Sequence, residues 1–453
     1  MKKLVLITGP FSTRSGYGDH ARSIFYALNN AKKYDIKLLD VRWGDTPRNY
    51  LNPKNSDHKA LLDCILADLM LEKQPDIYID IRIPNEFETY GKFNVGITAG
   101  IETTAISQKW VEGCNKMDLI IVPSKHSKDS IVNTVFDAYQ NLPDGTQKKV
   151  GDFKVEKPVE VIFEGMDTSI FKPLNVKDVD RSILKLINNT IKEDFAFLFV
   201  GQWVKGGYGE DRKDIGRLIK IFCETFANKS KQPALILKTS GATFSFIDKQ
   251  DTLTKINNIK SKFPATWKLP PIYLLHGDLT DDEMNHLYNH PKIKCMVSFT
   301  HGEGFGRPFL EASMVGLPVI APGWSGQIDF LDPENTIFIE GKLEQVPKAA
   351  VWEDIVIPES QWFVIDEHRA YLALKFAVEN KYSIKNKAKN MMHKNIKLYS
   401  LDKMMTLFNE ILDKHTEHLA TSIPLKLPKL KKVDKSDNSD LNKIKLPKLK
   451  KIT

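Results

Sequence analysis

Cysteine is scarce in this chain. Four occur in 453 residues, Cys64, Cys114, Cys223 and Cys295, and no two form a Cys-x-x-Cys pair. That pattern excludes a disulfide framework and a structural zinc site, and leads us to expect a reducing, cytoplasmic setting. Long apolar runs are missing as well: none approaches the roughly eighteen residues of a membrane span. The apolar start Leu4-Val-Leu-Ile7 is too short for a signal peptide, breaks at Gly9-Pro10 and reads as a first buried strand. Neither His-Glu-x-x-His nor a paired Cys/His set occurs, so no metal is expected. A net excess of either charge is also nearly absent from the body of the chain. Of the net charge of +8, residues 421–453 alone supply ten Lys against three Asp, which leaves the preceding residues close to neutral.

What is present is material for two cores. An apolar share of 42% with 27% charged residues over this length fits a globular protein of more than one domain. Short apolar runs at 3–8, 36–41, 77–81, 94–98, 119–123 and 159–163 alternate with helical patterns at 20–29, 58–71, 107–116 and 127–135. Such alternation marks a parallel sheet with helices on both faces. A second series starts at Phe195 and continues through 234–238, 272–275, 295–299 and 319–321. We therefore expect an α/β chain of two Rossmann-like domains, 1–180 and 181–385, hinged near 173–194. Helical periodicity at Met391, Ile396, Leu401, Met405, Phe408 and Leu412 predicts closing helices over 386–415. The Lys/Leu/Pro-rich segment 416–453 is expected to be a disordered basic tail.

The most informative stretch is Ser298-Phe-Thr-His301-Gly-Glu303-Gly-Phe-Gly-Arg307-Pro308-Phe-Leu-Glu311. The residues before it read as a buried strand, and Pro308 suits the first turn of a helix. The glycines then sit between a strand end and a helix start, where unpaired N–H groups and the helix dipole favour an anion such as a diphosphate. Glu303 and Glu311 can each accept hydrogen bonds from a diol. Gly16 and Gly18, between the first strand and the first helix, suit close backbone approach to a phosphate or an acceptor. The full Gly-x-Gly-x-x-Gly with a downstream acid is missing there, which weighs against NAD.

The Glu-x7-Glu spacing with Glu-Gly-Phe-Gly inside it resembles the signature of retaining glycosyltransferases of family 4, group 1 enzymes of the GT-B fold that use nucleotide sugars. The resemblance implies a donor sugar beside Glu303 and a ribose on Glu311. It also implies that the amides of Gly304, Phe305 and Gly306 face the sugar and diphosphate, with Gly16 and Gly18 beneath the diphosphate. Arg212 and Lys213 stand where the family carries an Arg and a Lys on the donor phosphates. Lys213 aligns with the family lysine, whereas Gln202 occupies the usual arginine position, so Arg212 or Arg307 is left as the second cation. Glu102-Thr103 falls in the loop after the fourth strand and is a candidate for acceptor or sugar contact. Gly165-Met-Asp167 resembles the crossing loop between the domains, and Trp324-Ser-Gly-Gln327 resembles the loop behind the second Glu. His301 is expected to shape its own loop, and the closing helices to pack back on the N-terminal domain. The activity implied is transfer of a sugar from a nucleoside-diphosphate sugar to an acceptor hydroxyl with retention, with no metal and no cofactor beyond the donor itself.

Two other readings stay open. One is a sugar transferase acting on hydroxymethyl bases in DNA, which the basic tail favours; the other is a non-catalytic nucleotide-sugar-binding protein, which Glu303, Glu311 and Lys213 argue against. In the tail, Lys426-Leu-Pro-Lys-Leu-Lys-Lys432 recurs as Lys445-Leu-Pro-Lys-Leu-Lys-Lys451. Basic clusters with leucines suit an anionic membrane surface, making the protein peripheral there, or nucleic acid.

Overall fold

Strands made of uninterrupted apolar residues are buried on both faces and pair in parallel. The computed structural model describes residues 2–419 apart from 69, 143–145, 205–207 and 242, so the expected tail lies outside the described residues from 420 onward. In the first domain β1 (Lys3–Gly9), β3 (Ile77–Ile81), β4 (Phe93–Ile97) and β5 (Leu119–Val122) are buried almost throughout, Asp80 and Asn94 included, whereas the edge strand β2 (Tyr34–Asp40) buries only Tyr34, Ile36 and Leu38; all pair in parallel. An antiparallel hairpin of β6 (Val135–Asn141) and β7 (Gln147–Lys154) precedes β8 (Val159–Val161), which completes the sheet in the order β2-β1-β3-β4-β5-β8. The helices here are α1 (Gly16–Ala31), α2 (Ser56–Leu62), α3 (Gln108–Lys116) and α4 (Lys125–Val132).

The second domain repeats the design. Its parallel sheet of β9 (Ala196–Val200), β10 (Ala234–Lys238), β11 (Ile272–Leu275), β12 (Ile293–Val297), β13 (Val319–Pro322) and β14 (Ile337–Ile339) has the order β11-β10-β9-β12-β13-β14. A hairpin of β15 (Gly341–Gln345) and β16 (Gln361–Ile365) follows. Its helices are α5 (Arg181–Thr190), α6 (Ile215–Phe226), α7 (Phe246–Lys260), α8 (Asp281–Tyr288), α9 (Arg307–Met314) and α10 (Glu367–Glu379). In each sheet the chain order reverses beside the first strand, between β1 and β3 and between β9 and β12. Open α/β sheets bind ligands outside the carboxyl ends of their strands at such points.

The chain closes with α11 (Lys381–Leu398) and α12 (Leu401–Thr416), and these divide between the domains. Met404, Phe408 and Leu412 of α12 sink into the first domain's core. The buried face of α11 instead lies on the second domain, where Asn395 Nδ2 donates to Ser313 Oγ of α9 (2.9 Å). Of the helices expected over 386–415, only α12 therefore packs back on the N-terminal domain; the chain breaks at Tyr399, and Ser400 caps α12. The two crossings between domains are bonded to each other. Met166 N donates to Tyr399 O (2.9 Å) and Leu401 N to Met166 O (2.8 Å). A Cβ on Gly165 would stand 2.7 Å from Leu401 Cα, which accounts for the glycine in this crossing loop.

Three expectations shift locally. The helix expected over 58–71 ends at Leu62, because the chain then runs along the edge of β2: Leu38 N donates to Cys64 O and Leu66 N to Leu38 O, both at 2.9 Å. The helix expected to reach 135 stops at Val132, and Val135 instead opens β6. The β6–β7 hairpin has no counterpart in the expected elements, since β7 is exposed along nearly its whole length and lacks an apolar pattern.

Candidate functional site

The loops after β9 and β12 meet at the switch point of the second sheet. Lys213 Nζ, just ahead of α6, donates to Glu303 Oε1, and each residue is only 7% exposed. Arg212 Nη1 lies 2.6 Å from Glu102 Oε1 of the first domain and 3.8 Å from Glu303 Oε2. Burial pushes the Glu303 carboxyl up, but Lys213 and then Arg212 outweigh it and hold it below its ordinary value. Glu303 is thus an ionised carboxylate in the interior, with two cations beside it.

Neighbouring loops fix this geometry. His301 N donates to Arg212 O (2.9 Å), tying one loop to the other. The His301 ring stacks on Trp362 with centroids 4.0 Å apart, and its Nδ1 is 2.7 Å from Phe363 O. Burial lowers it to about 4, so a neutral imidazole braces the loop. Behind Glu303, Ser325 Oγ accepts from Glu303 N (2.9 Å) and donates to Gln327 Oε1 (2.8 Å), and Gly326 N donates to Glu303 O (2.9 Å). Gly306 adopts φ +98° as the N-cap of α9 and supplies no side chain to cap the helix's first amides. The positive end of α9 therefore opens beside Glu303.

Around Arg307 lies a second charged group. Arg307 Nε is 3.2 Å from Glu311 Oε1 and 3.6 Å from Asp19 Oδ2, while its Nη1 is 4.0 Å from Glu164 Oε2. Glu311 Oε2 also accepts from Tyr288 Oη (2.8 Å). Burial raises Glu311 to about 7 against the pull of Arg307. Burial likewise raises Glu164 to about 7, opposed by Arg307 and aided by Asp19. Asp19 and Glu164 were not foreseen. Their one sequence signal was position, Asp19 directly after Gly18 and Glu164 directly before the crossing Gly165.

The remaining residues divide. Gly304 abuts the first domain: its O accepts from Ser124 Oγ (2.5 Å) and Ser127 Oγ (3.1 Å), and a Cβ there would be 1.8 Å from Ala99 O. The Phe305 side chain is buried in the second domain's core, so only its backbone is available. A Cβ on Gly18 would stand 2.5 Å from Thr13 O, so that glycine serves packing of its own loop, whereas Gly16 borders open space. Glu102 joins the cluster through Arg212, but Thr103 does not. The Thr103 hydroxyl donates to Ala105 O (3.0 Å) within its own loop, and the residue is buried. Gln202 is exposed. Asp178-Val-Asp180 is an Asp-x-Asp spacing, the pattern of metal-dependent sugar transferases that was expected to be absent, and it lies in the link between domains. There Asp180 caps α5 by accepting from Ser182 N (2.7 Å), and Asp178 accepts from Asn175 (3.1 Å). Among the described residues no group of three or more His, Cys, Asp or Glu is placed to hold a metal ion, and no helix is long and apolar enough to cross a membrane.

No protein-family model matches this sequence, and neither does any curated protein. Solved structures do match the fold. Anabaena HepE, solved with UDP and glucose, aligns with a TM-score of 0.56 at 13% identity over 91% of this chain and 100% of its own. Sucrose-phosphate synthase of Thermosynechococcus elongatus gives 0.57 at 12% identity over 91% and 99%. A glycosyltransferase of Rickettsia africae gives 0.55 at 12% identity over 92% and 99%. The likeness spans both domains, and the architecture of residues 2–419 is that of the GT-B fold.

Proposed function

We propose that this chain is a glycosyltransferase that moves a sugar from a nucleoside-diphosphate donor to an acceptor hydroxyl, with retention of anomeric configuration and without a metal. The observation that carries this reading is the buried Lys213–Glu303 pair at the second sheet's switch point, with Glu311 on the helix that follows. The similarity in fold to proteins solved with UDP and a sugar supports it.

In this reading the ribose diol binds Glu311, and the diphosphate lies on the amides of Gly304, Phe305 and Gly306, opposite Gly16 and Gly18. As the bond from C1 to the phosphate oxygen breaks, the diphosphate gains negative charge. A cation fixed beside it stabilises the transition state more than the ground state; Lys213 takes this role. Arg212 is the second cation, because it stands next to Lys213 and beside Glu303 at the switch point, whereas Arg307 lies with Glu311, Asp19 and Glu164. Glu303 positions the sugar and stabilises positive charge at C1. It does not attack C1, unlike the nucleophilic carboxylate of a retaining glycosidase. The acceptor oxygen bonds to C1 on the face the phosphate leaves, and its proton passes to that phosphate. Glu102 lies on the acceptor side. The donor is a substrate, and no other cofactor enters. We place the protein in the cytoplasm, at an anionic membrane surface or on nucleic acid through 420–453.

The test is release of nucleoside diphosphate from UDP-, GDP- and ADP-sugars. Consumption of one donor, insensitive to EDTA and with a raised KM in Glu311→Ala, is the expected result. No consumption of any donor would contradict the reading, and abolition by EDTA would contradict its metal-free part.

A further inference from the structure

Away from the cleft, a cavity of about 690 Å³ lies in the second domain between the interdomain link, the start of β12 and α11. Its charge is one-sided. Lys381, Lys385 and Lys389 recur at intervals of four along α11, which stacks them on one face of the helix, and Lys294 of β12 lies among the same lining residues. None of the four makes an ion pair among the described residues. Lys385 Nζ donates to Gly316 O (2.7 Å), and Lys381 Nζ lies 5.2 Å from the centre of the Tyr382 ring. The lysines feel one another. Burial, then Lys381, lowers Lys294, with Asp194 opposing; burial, then Lys389 and Lys294, lowers Lys385.

Holding four like charges around one cavity is unfavourable unless something neutralises them. The chain's own segment 421–453 is excluded as the occupant, because it is itself basic. A single carboxylate brings one charge, whereas a phosphate ester or a diphosphate brings about two and several acceptor oxygens. The floor is apolar: Val315, Leu317 and Met392 are buried beneath the lysines, and the Tyr382 ring is 79% exposed at the rim. The volume falls within the roughly 300–1,000 Å³ typical of sites for small organic ligands.

We propose that Lys294, Lys381, Lys385 and Lys389 form a second anion site that binds a phosphate-bearing organic ligand, separate from the donor cleft. The phosphate sits among the four ammonium groups, and the organic part lies on Val315, Leu317 and Met392 against Tyr382. A free organic phosphate and a lipid headgroup share this chemistry.

The experiment is lysine footprinting of the full-length protein. Acetylation of each lysine is followed by peptide mass spectrometry with inorganic pyrophosphate, with phosphatidylglycerol vesicles, or with neither. Lys381→Ala/Lys389→Ala and Lys213→Ala are run in parallel; Lys381 and Lys389 are both exposed, so the double variant is expected to fold. Pyrophosphate should shield Lys294 and Lys385 in the wild type and in Lys213→Ala, with apparent affinity about tenfold weaker in the double variant. Shielding by vesicles alone, lost in the double variant, supports the site and identifies a lipid headgroup as the source. No shielding by either probe, or equal shielding in the double variant, overturns the proposal. Shielding only by a DNA duplex added as a third probe also overturns it, since that places nucleic acid there.

Discussion

Lys213 and Glu303, 90 residues apart in the chain, form a buried ion pair where the loops after β9 and β12 meet. Each group is tolerated in the interior because the other is there. Removing one partner of such a pair typically costs about 3–5 kcal/mol, while replacing both with apolar residues can be nearly neutral.

Lys213→Met should therefore lower stability by about 3 kcal/mol and donor turnover by on the order of 10². Lys213→Met/Glu303→Leu should recover most of the stability and none of the turnover. Chemical denaturation read beside donor hydrolysis separates the two effects. Turnover that recovers together with stability would reduce the pair to a structural element.

Gly304→Ala places a methyl group where the loops of the two domains touch, 1.8 Å from Ala99 O. The cleft must then open at that point. Turnover should fall by about 10², as expected when reacting groups are displaced by around 1 Å, and small-angle scattering should report a larger radius. A wild-type radius and rate would show that this contact is not needed for closure.

Glu164 yields a prediction in pH. Its folded value of about 7 lies above the ordinary 4.5, because burial disfavours the carboxylate. The folded state thus holds the proton that the unfolded state has released, and stability falls as pH rises between these two values. Glu164→Gln carries no such loss. Its stability relative to wild type should climb by about 3 kcal/mol as pH rises from about 4.5 through 7, then level off. A difference that stays flat across that window would mean that Glu164 ionises normally in the fold.

Apart from β14, the strands of both parallel sheets were legible because most are short apolar runs, as at 119–122 and 234–237. Local chemistry also made Glu303, Gly306 and Glu311 legible, since glycine and Pro308 mark the strand-to-helix turn. Contacts between domains were not legible. Glu102 bonding Arg212, or Asp19 and Glu164 converging on Arg307, depends on how two sheets face each other, and residues 110 apart carry no shared pattern. Thr103 is the converse case: it lies next to Glu102 in the chain, yet its own turn captures its hydroxyl. The β6–β7 hairpin escaped because an exposed two-stranded ribbon buries too little to impose alternation.

Truncation for testing the tail belongs after Leu419. Thr416 is buried and its O accepts from Lys3 Nζ (3.0 Å), so a cut at Lys414 would remove part of the packed helix. The shortened protein should hydrolyse donor at the wild-type rate. It should bind phosphatidylglycerol vesicles or DNA more weakly, most of all at low salt. Equal binding by both forms across salt concentrations would deny the tail a partner.

If the Lys213–Glu303 site breaks a sugar–diphosphate bond with retention, proton NMR of the anomeric signal reads that outcome in a single reaction. With an α-linked nucleoside-diphosphate sugar, the first product formed should be α-configured, and Lys213→Met should not form it. A β-configured first product would contradict retention, and an unchanged donor signal with every nucleotide sugar supplied would contradict the assignment of this site to sugar transfer.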